Sequence, residues 1–187
     1  IVTLLPSATE IVAILGAADE IVGRSHECDY PDGITALPVL TAARIDSSGT
    51  SAEIHAEMEG AAATDVLSIY TVDETRLRAL APDVIVTQAQ CEVCAVSEND
   101  LRAILADWEG GPKLASLKAE NLAGVYDDIV AVGAALGRED AGRTAAADMR
   151  DHITRIALKA SDAIWKPTVA VVEWMEPLMA GGNWMPE

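Results

Sequence analysis

The sharpest chemistry in the chain is a pair of thiols at C-x-x-C spacing, Cys91-Glu92-Val93-Cys94. The remaining cysteine, Cys28, stands two positions after His26 in the polar run Arg24-Ser25-His26-Glu27-Cys28-Asp29-Tyr30-Pro31. Thiolates and imidazole suit zinc or another borderline-soft ion, so His26, Cys28, Cys91 and Cys94 could supply a metal with four ligands. The same residues serve a redox dithiol or a Cys91–Cys94 disulfide, and equally thiols that are merely buried or line a ligand. The spacing leaves these chemistries open. His55 and His152 join no such group and read as ordinary residues on helix surfaces.

Evidence for catalysis is thin. The sequence holds no Gly-rich phosphate loop, no G-x-S-x-G turn and no H-E-x-x-H pair. Ser7 stands at a helix start, where serine commonly does no more than cap. Glu173 and Glu176 flank Trp174 without a partner site and read as solvated loop carboxylates.

Positioning these groups falls to alternating β-rich and helical segments over residues 1–117, the pattern of βα units around a mostly parallel sheet. Strands are predicted at Ile1–Leu5, Ile21–Gly23, Val84–Thr87 and Lys113–Leu117, with a minor one at Val39-Leu40 and an extended stretch at Val66–Tyr70. Ser7-Ala8-Thr9-Glu10 reads as a capping box opening a helix that ends at Gly16. Further helices are expected at Ala52–Ala63, Asp73–Leu80 and from Ser97 to about Trp108, with a turn-like Thr41–Gly49 between. From Leu122 two helices meet near Gly137-Arg138. The second runs for some 25 residues, about 37 Å at 1.5 Å per residue, to the break at Lys166-Pro167. Thr168–Trp174 then reads as a strand of a new sheet.

In open α/β sheets ligands collect outside the carboxyl ends of the strands. That places Pro6–Glu10, Arg24–Tyr30, Tyr70-Thr71 and Thr87–Cys94 on one rim, faced by the loop Glu173–Trp184. With 13 Lys and Arg against 30 Asp and Glu, a net charge of −17 excludes a broad grip on nucleic acid. Half the residues are hydrophobic, yet Phe is absent, so the core must be aliphatic. No apolar run approaches the roughly 20 residues of a membrane span. The start without Met and the abrupt end at Pro186-Glu187 read as a piece of a longer product.

Three segments carry a family resemblance: Ile1-Val2-Thr3-Leu4-Leu5-Pro6-Ser7-Ala8-Thr9-Glu10, then Val22-Gly23-Arg24-Ser25-His26-Glu27-Cys28-Asp29-Tyr30-Pro31, then Leu80-Ala81-Pro82-Asp83-Val84-Ile85-Val86-Thr87. In this order and spacing they resemble the cobalamin-binding and iron-siderophore-binding proteins of ABC importers, the helical-backbone class of periplasmic binding proteins. Gln90–Ser97 and Val172–Met179 are similar to the cobalamin-binding branch.

The resemblance implies two α/β lobes joined by a long helix, with the ligand between them. Residues 1–137 would form the first lobe, a mostly parallel sheet with flanking helices, 138–165 the connecting helix, and 166–187 the start of a truncated second lobe. It implies a non-enzymatic solute-binding component, expected as a monomer, that holds cobalamin or a related metal chelate as its transported ligand and delivers it to a membrane permease. A periplasmic or cell-envelope location follows, with a cytoplasmic one as the alternative. Carried over by position, Pro6, Ser7, Tyr30, Tyr70, Gln88 and Gln90 would border the ligand from the first lobe and Trp174 from the second. Glu98 would meet an arginine of the permease. His26 with the three cysteines departs from the best-known cobalamin binders, and a metal- or thiol-dependent protein on the same fold is the competing function.

Overall fold

The computed structural model describes residues 1–62, 70–89, 96 and 98–181. Its centre is a four-stranded sheet in the order β2-β1-β5-β6, with β1 at Val2–Thr3, β2 at Gly23–Arg24, β5 at Val84–Gln88 and β6 at Lys113–Leu117. Every neighbouring pair is parallel: Val2 pairs with both Gly23 and Ile85, and Val86 pairs with Ala115. Strands that share direction need crossovers, and helices supply them on both faces.

Side-chain alternation splits the core in two. Val2, Leu4 and Ile85 point to one face, where they pack with Leu40, Leu77 and Leu101 beneath α3 (Glu74–Leu80) and α4 (Glu98–Leu105). Ile1, Val84 and Val86 point to the other, against Val12 and Leu15 of α1 (Pro6–Ile14) and Ile129 and Val132 of α5 (Leu122–Ala135). Both clusters are almost wholly aliphatic, as a chain without Phe requires. Tyr126 is the aromatic that enters the second one, under the Arg150 guanidinium at 4.9 Å.

The helix starts follow local chemistry, with one correction. Asp73 caps α3 by accepting from the Arg76 amide at 2.9 Å, and Asn121 caps α5 by accepting from Gly124 at 3.0 Å. The expected capping box at Ser7–Glu10 does not form. Pro6 takes the first helical turn, Leu5 becomes the cap residue, and no side chain caps the end. Proline's fixed φ and missing N–H suit that position, so the helix begins one residue before Ser7 can cap it.

Two further corrections concern strands. The turn-like Thr41–Gly49 begins instead with β3 (Thr41–Ala43), antiparallel to β4 (Tyr70–Val72). The minor strand at Val39-Leu40 reduces to a single parallel bridge between Val39 and Arg24. The helix expected at Ala52–Ala63 is α2 (Ser51–Ala62), and most of Val66–Tyr70 lies outside the described residues, as does Ser97.

The chain turns out of α5 at Gly137, two residues past its last helical residue, where a φ of 68° is left-handed backbone open to glycine at little cost. α6 (Glu139–Ser161) follows as a 23-residue helix, about 34 Å long. It lies against α5 through Gly142 and Ala146, both buried, while Ile156 and Leu158 near its end are exposed. The strand expected at Thr168–Trp174 is shorter, β7 (Val172–Trp174), paired antiparallel with β8 (Met179–Ala180). No described helix is long and apolar enough to cross a membrane.

Candidate functional site

The carboxyl ends of β1, β2 and β5 open on one rim. A small depression there is lined by Leu5, Pro6, Ser25, Glu27, Thr41 and Tyr70, among others. Three of the four segments expected on the rim therefore meet, and Thr41 joins them through β3. At the end of β5 the Thr87 hydroxyl donates to the Val96 carbonyl at 2.8 Å. Both ends of the intervening loop are thus held at the rim, while Gln90, Cys91 and Cys94 within it lie outside the described residues.

Thr41 organises the floor. Its hydroxyl oxygen accepts from the His26 amide at 3.0 Å, lies 3.0 Å from the Ser25 hydroxyl and 2.7 Å from Nδ1 of His26. Ser25 in turn accepts from the Glu27 amide at 3.3 Å. The other imidazole nitrogen, Nε2, is 3.2 Å from a Glu27 carboxylate oxygen, off the line of a hydrogen bond. The His26 ring sits 5.6 Å from the Tyr70 ring at a tilt of 48°. Burial, and secondarily the negative charge of Glu27, push the Tyr70 phenol above its ordinary pKa, so it stays protonated.

Cys28 faces elsewhere. It is 1% exposed, and its sulfur accepts a hydrogen bond from the Thr9 hydroxyl at 3.0 Å. Thr9 is also 2.7 Å from the Thr3 hydroxyl, so the thiol closes a buried polar chain between β1 and α1. Burial raises its pKa, against smaller opposing effects from Thr9, Ser25 and Arg24. His26 and Cys28 therefore occupy different surroundings: the imidazole is at the rim with Thr41 and Tyr70, the thiol is beneath it. Among the described residues no three His, Cys, Asp or Glu side chains converge as a metal-holding group.

The other expected site residues are spread around this centre. Pro6 and Ser7 are exposed at the start of α1, Tyr30 is 61% exposed on the β2 loop, and Gln88 is buried at the end of β5. Trp174 of β7 reaches back across the chain, its indole N–H lying 3.1 Å from the Ser51 carbonyl at the start of α2 and 3.0 Å from that of Glu176. Glu98 opens α4, but it is not a free carboxylate. Arg102 pairs with it one turn on, and its side chain is 18% exposed. A hydrogen bond from Ser116, then Arg102, holds its pKa below the usual value. His55 pairs with Glu59 on α2 and His152 is exposed on α6, as ordinary helix residues are.

A larger groove, about 820 Å³, lies at the opposite, amino end of the sheet, bordered by Glu20, Leu80, Asp83, Trp108 and Lys113. None of the expected site residues lines it. Size alone does not make it the site, because strand amino ends gather neither converging loops nor helix N-termini. Two residues that sequence patterns leave unremarked prove central to the rim. Thr41 is hidden by its turn-like context, and Arg24 by being one more charged residue at the head of the polar run Arg24–Pro31.

Comparison with known proteins defines the class. The periplasmic binding protein family matches residues 1–185, and the chain belongs to it; this is a family of solute-binding proteins, not enzymes. Among solved structures, the periplasmic vitamin B12-binding protein BtuF of Vibrio cholerae is similar at 19% identity and a TM-score of 0.65, covering 96% of this chain and 57% of that one. The periplasmic heme-binding protein RhuT of Roseiflexus shows 21% identity and a TM-score of 0.65, over 91% and 53%. A possible iron-binding periplasmic solute-binding protein of Staphylococcus epidermidis shows 19% and 0.62, over 91% and 55%. The chain thus spans little more than half the length of these structures, and at such identities the likeness is one of fold. No curated protein matches the sequence significantly.

Proposed function

We propose that this chain is the first-lobe part of a solute-binding component of an ABC importer, and that its ligand is a tetrapyrrole-type metal chelate, cobalamin foremost. One observation carries this reading: in a family of binding proteins, the segments that follow β1 and β2 meet the start of β4 at the carboxyl end of a parallel sheet, bringing Pro6, Ser25, Glu27 and Tyr70 around one depression. Broad, flat aromatic and apolar surface with a few polar groups suits the edge of a large macrocycle. That a vitamin B12-binding protein and a heme-binding protein are among the similar structures supports the same ligand class.

In this reading residues 1–137 form the first lobe, α6 within 138–165 is the connecting helix, and 166–187 begin the second lobe, from which Trp174 borders the ligand. Gln88 and Gln90 would border it from the first. Glu98 would meet a permease arginine, which must then share a carboxylate that Arg102 already engages. A periplasmic or cell-envelope location goes with this reading. The competing use of His26, Cys28, Cys91 and Cys94 as one metal or thiol centre is disfavoured by the different surroundings of His26 and Cys28.

Equilibrium dialysis of the full-length gene product against cyanocobalamin and, separately, hemin tests the reading. Retention of one equivalent of either chelate supports it, and the stronger retention names the ligand. Retention of neither overturns it.

A further inference from the structure

Arg24, the last residue of β2, is 8% exposed, yet no carboxylate pairs with it among the described residues. Its guanidinium is spent on carbonyl groups of the loop that follows. Nη1 donates to Ser25 at 3.0 Å and to Cys28 at 2.9 Å, and Nη2 donates to Thr35 at 3.0 Å. Nε is buried without a hydrogen-bond partner among the described residues. Burying a cation without a counter-charge is costly, and leaving one of its N–H groups unmet adds to the cost. Such an arrangement persists where it holds something that the fold alone would not.

What it holds is the rim loop. Beyond β2 the chain forms no strand until β3, and only one short helical turn, Ile34–Ala36, interrupts it. Two of the carbonyls, Ser25 and Cys28, lie in the first turn of that excursion and the third, Thr35, about two-thirds of the way along it, so one side chain ties its start to its later part from inside. Thr41 pins the same loop from the other side, through the Ser25 hydroxyl and the His26 amide and ring. Between these two anchors the loop presents His26 beside Tyr70 and leaves Tyr30 exposed. A planar fork with several N–H groups in fixed directions can span these carbonyls, whereas the compact ammonium of lysine cannot.

We propose that Arg24 is a positioning residue for the ligand site, fixing from below the loop that carries His26 and Tyr30. This rests on the proposed function. The test uses the full-length protein, with Arg24→Lys, Arg24→Met and the core control Ile129→Val, each titrated with cyanocobalamin and hemin. Melting midpoint and hydrogen exchange are measured in parallel. Displacing a preformed contact costs affinity steeply, so both Arg24 variants are expected to bind about tenfold or more weakly. Amide exchange should quicken in residues 25–36 and stay unchanged in β1 and β5. The control should lose stability without losing affinity.

Unchanged affinity, a loss no greater than the control's, or failure of both Arg24 variants to fold overturns the proposal, because Arg24 would then serve the lobe as a whole. If the wild-type protein binds neither chelate, the functional reading fails. The exchange data then decide the loop clamp separately: unaltered exchange in residues 25–36 overturns it as well.

Discussion

A β-carbon placed on Gly133 of α5 would sit 2.9 Å from the Cα of Gly142 on α6 and 3.0 Å from the Arg138 carbonyl. The two helices touch backbone to backbone there. The contact fixes the angle at which the long α6 leaves the sheet, and with it the placement of everything beyond.

Replacing Gly133 by alanine should therefore destabilise the protein, although alanine is the better helix former by about 1 kcal/mol. Overpacking against backbone, which cannot swing aside as a side-chain end can, costs about 1–3 kcal/mol and should prevail, leaving a net loss of up to about 2 kcal/mol. Urea unfolding measures this. A stabilised Gly133→Ala variant would show that the helices can separate without cost.

Cys28 should be inert in the folded protein. In a Cys91→Ser, Cys94→Ser background, a thiol reagent is expected to leave it unmodified until denaturant is added. Its folded pKa is raised by burial, so its contribution to stability is full below the unfolded thiol's pKa and is lost as pH rises through the folded value. Stability should fall less steeply on the alkaline side in Cys28→Ala. Rapid labelling of the native protein would contradict the buried placement.

Glu98 behaves in the opposite sense. Its folded pKa is depressed, chiefly by Ser116 and then by Arg102. Its contribution is present above the ordinary Glu pKa and lost as pH falls through the lowered one. Ser116→Ala should shift the Glu98 carboxyl titration upward by NMR, and Glu98→Gln should flatten the acid limb of the stability profile. An unmoved Glu98 titration in Ser116→Ala would assign the depression to the cations Arg102 and Lys118 instead.

Local patterns made much of this architecture legible. Lys113–Leu117 and the helix from Leu122 are read correctly because their signals, a β-rich run and an apolar segment of helical spacing, lie within a few residues of each other. The β3–β4 pair escapes such reading. Thr41-Ala42-Ala43 has little strand propensity and is extended by its pairing with Tyr70–Val72, far along the chain. The rim is partly legible for the same reason. Strand carboxyl ends can be predicted, so the segments after β1 and β2 are expected at the rim, where Pro6 and Ser25 do border one depression. Thr41 and Arg24 act through hydrogen bonds that no spacing rule encodes. His26 and Cys28 look like one ligand set from two-residue spacing, but the turn between them sends one side chain to the rim and the other inward.

The central claim is that the rim holds a metal chelate between the lobes. Its most direct test is calorimetric titration of the full-length gene product with cyanocobalamin, beside a Tyr30→Ala, Tyr70→Ala double variant with unchanged circular dichroism. The predicted result is one-to-one binding by the wild type and affinity lower by about 100-fold in the variant, as loss of two aromatic contacts of about 1–1.5 kcal/mol each would give. Equal affinity of the two proteins, or no heat of binding in either, would contradict it.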